Sequence, residues 1–346
     1  MKKLILIFFP FLFVSCSVKH KKTFDYIFNK TEAITLEQSK LTLSKDITVL
    51  SFSDSSMVDR NSSIIKVDSG WIVYSKNSES SILSFTSDGQ FSGYIGHRGN
   101  GPGEYTSVYD VVVNQKSKVL EVLSDGGIFC YTFGGDFLDK KEVTYPAFSF
   151  AIDDRQNYWF YVGNNTTYGD AKMICTDENI ANVAYYLHQK SNMLPMVENN
   201  FGRNGEWLTF HESLNHDLYT IENGKLDLSY AMDFPNYKLP KKLHELSGME
   251  VIEELQRSNY ASIINYLENH DYIFLNVLLN NEGERIQRFI IGLLVRICKR
   301  KLSSKLMVEF LQNPICLILS ICLMIINYIV WGIYGKIRMW NPLRKI

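Results

Sequence analysis

The chain has 346 residues, 46% of them hydrophobic and 13% aromatic, and a formal net charge of -1 at pH 7. That length and apolar content are enough for one large core or two ordinary ones, and they exclude a mainly disordered chain. The small net charge hides a division: residues 285 to 346 carry eleven Lys and Arg against the single acid Glu309, leaving twenty-five basic and thirty-six acidic residues before them. An acidic body excludes nucleic acid as its partner.

Residues 1–16 open Met1-Lys2-Lys3 and run apolar from Leu4 to Val14. A basic start followed by so short an apolar stretch predicts a secretory signal peptide and not a membrane span. Phe13-Val14-Ser15-Cys16 resembles the lipobox of bacterial lipoproteins, with Phe13 in place of the usual Leu, and the resemblance makes Cys16 the lipidated residue. An ordinary signal with an incidental cysteine is the alternative. Residues 17–60 read as a tether and lead-in with one alternating strand, Ile47 to Phe52.

Repeats then begin. Val67-Asp68-Ser69-Gly70-Trp71 and Ser87-Asp88-Gly89 each place turn residues between alternating apolar ones, which is a hairpin signal. Asp68 and Asn114, Phe85 and Tyr131, Gly89 and Gly135, and Phe91 and Phe137 are all forty-six residues apart. A period of about 40 to 50 residues with several short strands per copy predicts a β-propeller, because one four-stranded sheet cannot cover both of its faces alone. Looser copies follow at Phe150 to Cys175 and Glu206 to Phe234. An amphipathic helix is expected near 240–258, with Leu243, Leu246, Ile252 and Leu255 on one face. Two strands, Ala261 to Tyr266 and Tyr272 to Leu278, then start a fifth blade. The expected class is all-β: a propeller of the six-bladed type over 61–284, incomplete at about five blades, followed by C-terminal α-helices.

From Arg285 the pattern changes. Ile286, Phe289, Ile290, Leu293, Leu294 and Ile297 recur at helical spacing among basic residues, which predicts a basic amphipathic helix. Residues 315–333 carry no charge, and at about 1.5 Å per residue they nearly match the hydrocarbon layer, so a transmembrane-like segment is expected there. Both its flanks are basic and give no orientation.

Between the first two copies lies Ile95-Gly96-His97-Arg98-Gly99-Asn100-Gly101-Pro102-Gly103-Glu104-Tyr105. Four glycines and a proline make this a shaped loop. It is similar to a signature of the six-bladed, NHL-like β-propeller lipoproteins of bacterial envelopes: Ile-Gly, a basic residue, then Gly-x-Gly-Pro-Gly-Glu followed by Tyr or Phe. The resemblance covers roughly residues 16 to 285. It implies a propeller on a lipid anchor, generally without assigned chemistry, facing the periplasm or the cell surface. The family would complete the fifth blade and add a sixth. This chain turns basic and helical instead, as translation in a shifted reading frame after about Glu284 would produce.

Candidate chemistry is sparse. The loop residues Gly96, Arg98, Gly99, Gly101, Pro102, Gly103, Glu104 and Tyr105 read as a structural turn, with a binding loop as the second reading and Arg98–Glu104 as a loop-closing ion pair. A dinucleotide loop would have to open a helix, and Pro102 followed by a strand does not. His211 and His216 stand five apart between strands, not four apart on one helical turn, so no metal site is expected. Cys130 and Cys175 read as small core hydrophobes. Trp71, Tyr74, Tyr158, Trp159 and Trp207 read as blade core, with a sugar-stacking platform as the alternative. No catalytic residue and no cofactor is assigned. The expected function is a non-catalytic envelope scaffold or binding protein, with a glycan, peptide or protein ligand. Its membrane contacts would be the N-terminal lipid and the C-terminal helix. The alternatives are a propeller enzyme of the lactonase or lyase type with a metal in the central channel, and a membrane protein anchored by its C-terminal helix.

Overall fold

A computed structural model of the chain describes residues 23–25, 47–51, 62–76, 80–164, 169–188, 199–205, 207–269, 272–281, 284–293, 305–309 and 336–339. The signal peptide with Cys16 and the segment 315–333 lie outside the described residues. Among the described residues no helix is long and apolar enough to cross a membrane.

Two short strands, β1 (Thr23–Asp25) and β2 (Ile47–Leu50), come first. Blade one is β3 (Ser63–Val67), β4 (Gly70–Tyr74), β5 (Ile82–Thr86) and β6 (Phe91–Ile95), and the loop after it holds β7 (His97–Arg98) and β8 (Glu104–Tyr105). Blade two is β9 (Asp110–Asn114), β10 (Val119–Ser124), β11 (Gly127–Tyr131) and β12 (Phe137–Lys141). Blade three is β13 (Ser149–Ile152), β14 (Tyr158–Tyr161), β15 (Met173–Thr176) and β16 (Ala184–Tyr186). Blade four is β17 (Phe201–Asn204), β18 (Trp207–His211), β19 (Asp217–Glu222) and β20 (Lys225–Asp233), with β1 added in parallel to the edge of β20. After α1 (Met249–Arg257) a fifth sheet contains β21 (Tyr260–Glu268), β22 (Tyr272–Asn281), β23 (Glu284–Leu293) and β24 (Lys305–Glu309), and β25 (Lys336–Met339) pairs with β2. Within each blade and the fifth sheet the consecutive strands are antiparallel neighbours in chain order, giving a mainly β, propeller-like arrangement.

The core is divided among the seams between sheets. Ile72, Tyr74, Ile82 and Ile95 of blade one pack on Val111, Leu120, Val122 and Tyr131 of blade two. Leu123 and Ile128 meet Phe150, Tyr158 and Phe160, and Trp159, Tyr161 and Met173 meet Leu208 and Phe210. Leu218, Tyr230 and Met232 meet Ala261, Ile263 and Tyr266 of the fifth sheet. Alternation explains this: neighbouring strand residues such as Phe160 and Trp159, both 0% exposed, face opposite seams. Each such side chain contributes about 1.5–3 kcal/mol by its burial.

The forty-six-residue repeat has a structural cause. In blade one the β5–β6 ladder slips between Ser84 and Phe85, and in blade two the β11–β12 ladder slips between Cys130 and Tyr131. Blade four slips between Leu218 and Tyr219. In these three blades a bulge before the aromatic residue turns the outer strand.

Two expectations change. The helix predicted from Arg285 is strand over Glu284–Leu293, paired in ten steps with β22. Its Ile and Phe residues suit a pleated surface, and the edge of β22 offers a full ladder of hydrogen bonds, which outweighs the helical spacing of the apolar positions. The helix predicted near 240–258 is two pieces, a 3₁₀ turn at Lys241–His244 and α1, parted at Gly248 with φ +55°. Leu243 and Val251 are buried there, whereas Ile252 is 39% exposed.

Candidate functional site

The glycine-rich segment connects blade one to blade two. Gly101-Pro102-Gly103-Glu104 forms a turn closed by the Glu104 N–H donating to the Gly101 carbonyl at 3.0 Å. Pro102 at the second position and Gly103 at φ +77° at the third are what a type II turn requires. The loop base closes as Gly99 N–H donates to the Tyr105 carbonyl at 3.0 Å, beside the parallel pairing of β7 with β8.

The Glu104 carboxylate folds back into its own loop and accepts the Gly101 N–H at 2.8 Å. A Cβ on Gly99 would lie 2.0 Å from the same carboxylate oxygen. The concavity that glycine N–H groups would present to an external anion is thus filled by an internal one. The Arg98 guanidinium donates through Nε to the Thr106 carbonyl at 2.8 Å. Tyr105 is 1% exposed; its hydroxyl accepts the Ile82 N–H and donates to the Ile95 carbonyl, both at 3.2 Å. Gly96 lies against the Tyr131 ring and Gly103 against the Phe137 ring, and the Tyr131 hydroxyl donates to the Gly103 carbonyl at 2.9 Å. The contacts of Tyr105, Gly96, Gly103 and Tyr131 set blade one against blade two.

Asp125, in the turn between β10 and β11, was not singled out in the sequence. It accepts from Thr106 Oγ1 at 2.7 Å, from Ser107 Oγ at 3.1 Å and from the Tyr109 hydroxyl. The Tyr109 bond, ahead of the one from Thr106, holds its carboxyl below the ordinary aspartate value.

The buried acids are the chemically dense part of the molecule, and they sit at the seams. Asp110 receives Lys76 Nζ at 2.9 Å and the Tyr74 hydroxyl at 3.3 Å from blade one, and the Phe150 N–H at 3.2 Å from blade three. Glu121, 1% exposed, accepts Asn114 Nδ2 at 2.9 Å and the Tyr158 hydroxyl of blade three at 2.8 Å. Glu212 accepts Lys172 Nζ at 3.0 Å and the Tyr161 hydroxyl at 2.7 Å, both from blade three. Glu268 of the fifth sheet accepts the Tyr230 hydroxyl of blade four at 3.1 Å and that of Tyr266. Burial first, and then the neighbouring carboxylate, pushes Tyr74, Tyr158 and Tyr266 well above the ordinary tyrosine value. They remain neutral donors.

His211, 1% exposed, lies between blade four and the fifth sheet, and neither ring nitrogen makes a well-formed hydrogen bond among the described residues. Burial pulls its pKa down to about 4, against upward pulls from the backbone of Ile264, Ile263 and Asn200. His216 instead brings Nε2 to 3.0 Å from the Ala261 carbonyl and its ring against Phe234. Among the described residues no group of three or more His, Cys, Asp or Glu is placed to hold a metal ion. Cys130 and Cys175 are free, buried thiols, each pushed up to about 12, mainly by burial. Trp71, Tyr74, Tyr158 and Trp159 are all buried in seams.

A family model described as a domain of unknown function, DUF4934, matches residues 29–291. No curated protein matches the chain. Among solved structures, a protein from Bacteroides fragilis NCTC 9343 described as exported aligns at 14% identity with a TM-score of 0.63, over 78% of this chain and 77% of that one. A member of the DUF4221 family from Bacteroides vulgatus aligns at 11% identity and a TM-score of 0.48, over 74% of this chain and 83% of its own. The extracellular domain of a hybrid two-component system from B. thetaiotaomicron aligns at 11% identity and 0.39, over 72% of this chain and 32% of its own. The first supports the fold; the other two carry no argument.

Proposed function

The chain belongs to the DUF4934 family, and on that footing we propose that it is a lipid-anchored envelope β-propeller of the six-bladed type, a binding or scaffold protein without chemistry of its own. The observation that carries this reading is how the buried acids are used. Asp110, Glu121, Asp153, Glu212 and Glu268 are the buried acids among the described residues. Four of them bind tyrosine or lysine donors across seams. The fifth, Asp153, shapes a turn by accepting Asn157 Nδ2 at 2.9 Å and Trp159 Nε1 at 3.0 Å. Such acids hold blades and leave recognition to exposed loops and outer strands, where binding on rigid scaffolds resides. Export is supported by the basic and apolar start of the sequence, and lipidation by Cys16 at the lipobox position. The ligand class this reading favours is an envelope glycan, peptide or protein.

Two measurements test it. Metal analysis of the purified protein is expected to find no stoichiometric calcium or zinc; near-unit stoichiometry would move the reading to a metal-dependent propeller enzyme. Cys16→Ala is expected to release the protein from the membrane fraction. Continued resistance to extraction would instead favour an anchor in the C-terminal segment.

A further inference from the structure

Blade one is covered on a side where the described residues hold no earlier blade. Blade two is covered in the same way by β6. Gly135 stands at φ +100°, and a Cβ on it would lie 2.3 Å from the Tyr94 carbonyl oxygen. The Gly135 carbonyl accepts the Gly96 N–H at 3.3 Å, and Ile95, 0% exposed, is buried against Leu120, Val122 and Tyr131. Blade one repeats these contacts with β2. Gly89 stands at φ +89°, and a Cβ on it would lie 2.1 Å from the Val49 carbonyl oxygen. The Gly89 carbonyl accepts the Ser51 N–H at 2.9 Å, and Leu50, 0% exposed, is buried against Trp71, Val73, Leu83 and Phe85.

The sequence steps agree. Val49, Leu50 and Ser51 each stand forty-five residues before Tyr94, Ile95 and Gly96, and Gly89 stands forty-six before Gly135. β2 is therefore to blade one what β6 is to blade two. We propose that Ile47–Leu50 is the outer strand of the blade that closes the ring, so that the N-terminal segment is a working part of the propeller and not a lead-in to it. β2 also has β25 alongside it through four paired residues. The inference rests on the propeller reading, and a reference variant separates the two.

The test uses the full chain. Leu50→Asp and Ile95→Asp each put a charge into one of the two equivalent seams, whereas Val49, 42% exposed, gives the control Val49→Asp. Leu50→Asp and Ile95→Asp are expected to lower the thermal midpoint by about 5 °C or more, with Val49→Asp close to the parent. Loss on Ile95→Asp alone would overturn the closure and keep the propeller; silence at Ile95 would overturn the propeller reading itself. Where Leu50→Asp does not fold, the pair Ser51→Cys and Gln90→Cys serves, because these residues bridge β2 to blade one. After oxidation and tryptic cleavage at Arg60, the fragment carrying β2 is expected to stay attached until reductant is added. Release without reductant would overturn the proposal.

Discussion

Lys172 and Glu212 each have side chains 9% exposed and join blades three and four. Removing one partner leaves the other charge buried without compensation, so Lys172→Met is expected to cost about 3–5 kcal/mol in urea unfolding. The double variant Lys172→Met with Glu212→Leu is expected to recover most of that loss, and an additive cost would show that the pair is not the source. His211 gives the pH dependence. Its value of about 4 lies below the ordinary 6.5, so the unfolded chain binds a proton in that interval and the folded one does not. Stability is complete above about pH 6.5 and falls as pH drops towards 4, by about 3 kcal/mol over the interval. Denaturant titrations at pH 7.5 and 4.5 check this, and His211→Gln is expected to flatten the slope. None of this was legible in the sequence: the acids of the seams come from strands up to 51 residues from their partners, as Tyr161 and Glu212 are. The sequence reading of His211 and His216 turned on their spacing, whereas burial is what sets the behaviour of His211.

At the scale of elements, the turn between β11 and β12 holds two adjacent glycines with different duties. Gly135 has φ +100° and backbone 2.3 Å from an added Cβ; for Gly134 the nearest atom is the Thr132 hydroxyl oxygen at 3.5 Å. Gly135→Ala is expected to cost about 2 kcal/mol or more, from the left-handed backbone and the displaced β6, whereas Gly134→Ala stays within about 0.5 kcal/mol. Thermal unfolding of the two variants side by side decides it, and equal losses would remove β6 as the reason for the glycine. Here the sequence was informative, since Gly89 and Gly135 fell in register with Phe91 and Phe137 and marked the outer turns of blades one and two. Turn chemistry and period are local signals, and they carried the strand order of the blades. The strand β23 was misread because its apolar residues satisfy a helical period as well as they satisfy a pleat, and only the open edge of β22 decides between the two.

At the scale of the whole molecule, the fold extends further along the chain than the change in charge suggested. The family match reaches residue 291 and β23 reaches Leu293, so Arg285 and Arg288 belong to the fifth sheet and any departure from the family lies beyond them. The basic run that stands apart begins with Arg296, followed by Lys299, Arg300 and Lys301. If translation shifts frame there, the native protein carries the five sheets through β23 and a different C-terminus, one able to supply antiparallel partners for β2. The parallel pairing of β25 with β2 contrasts with the antiparallel pairing of consecutive strands in blades one to four. Peptide mapping of the native protein checks this. Cleavage at Arg338 and Arg344 releases the short peptide Met339-Trp340-Asn341-Pro342-Leu343-Arg344, free of the apolar run that hampers recovery of its neighbours. The expected result is good coverage from Ser63 to Asn281 with this peptide missing, and detecting it at comparable abundance would establish the tail as native and end the frameshift reading.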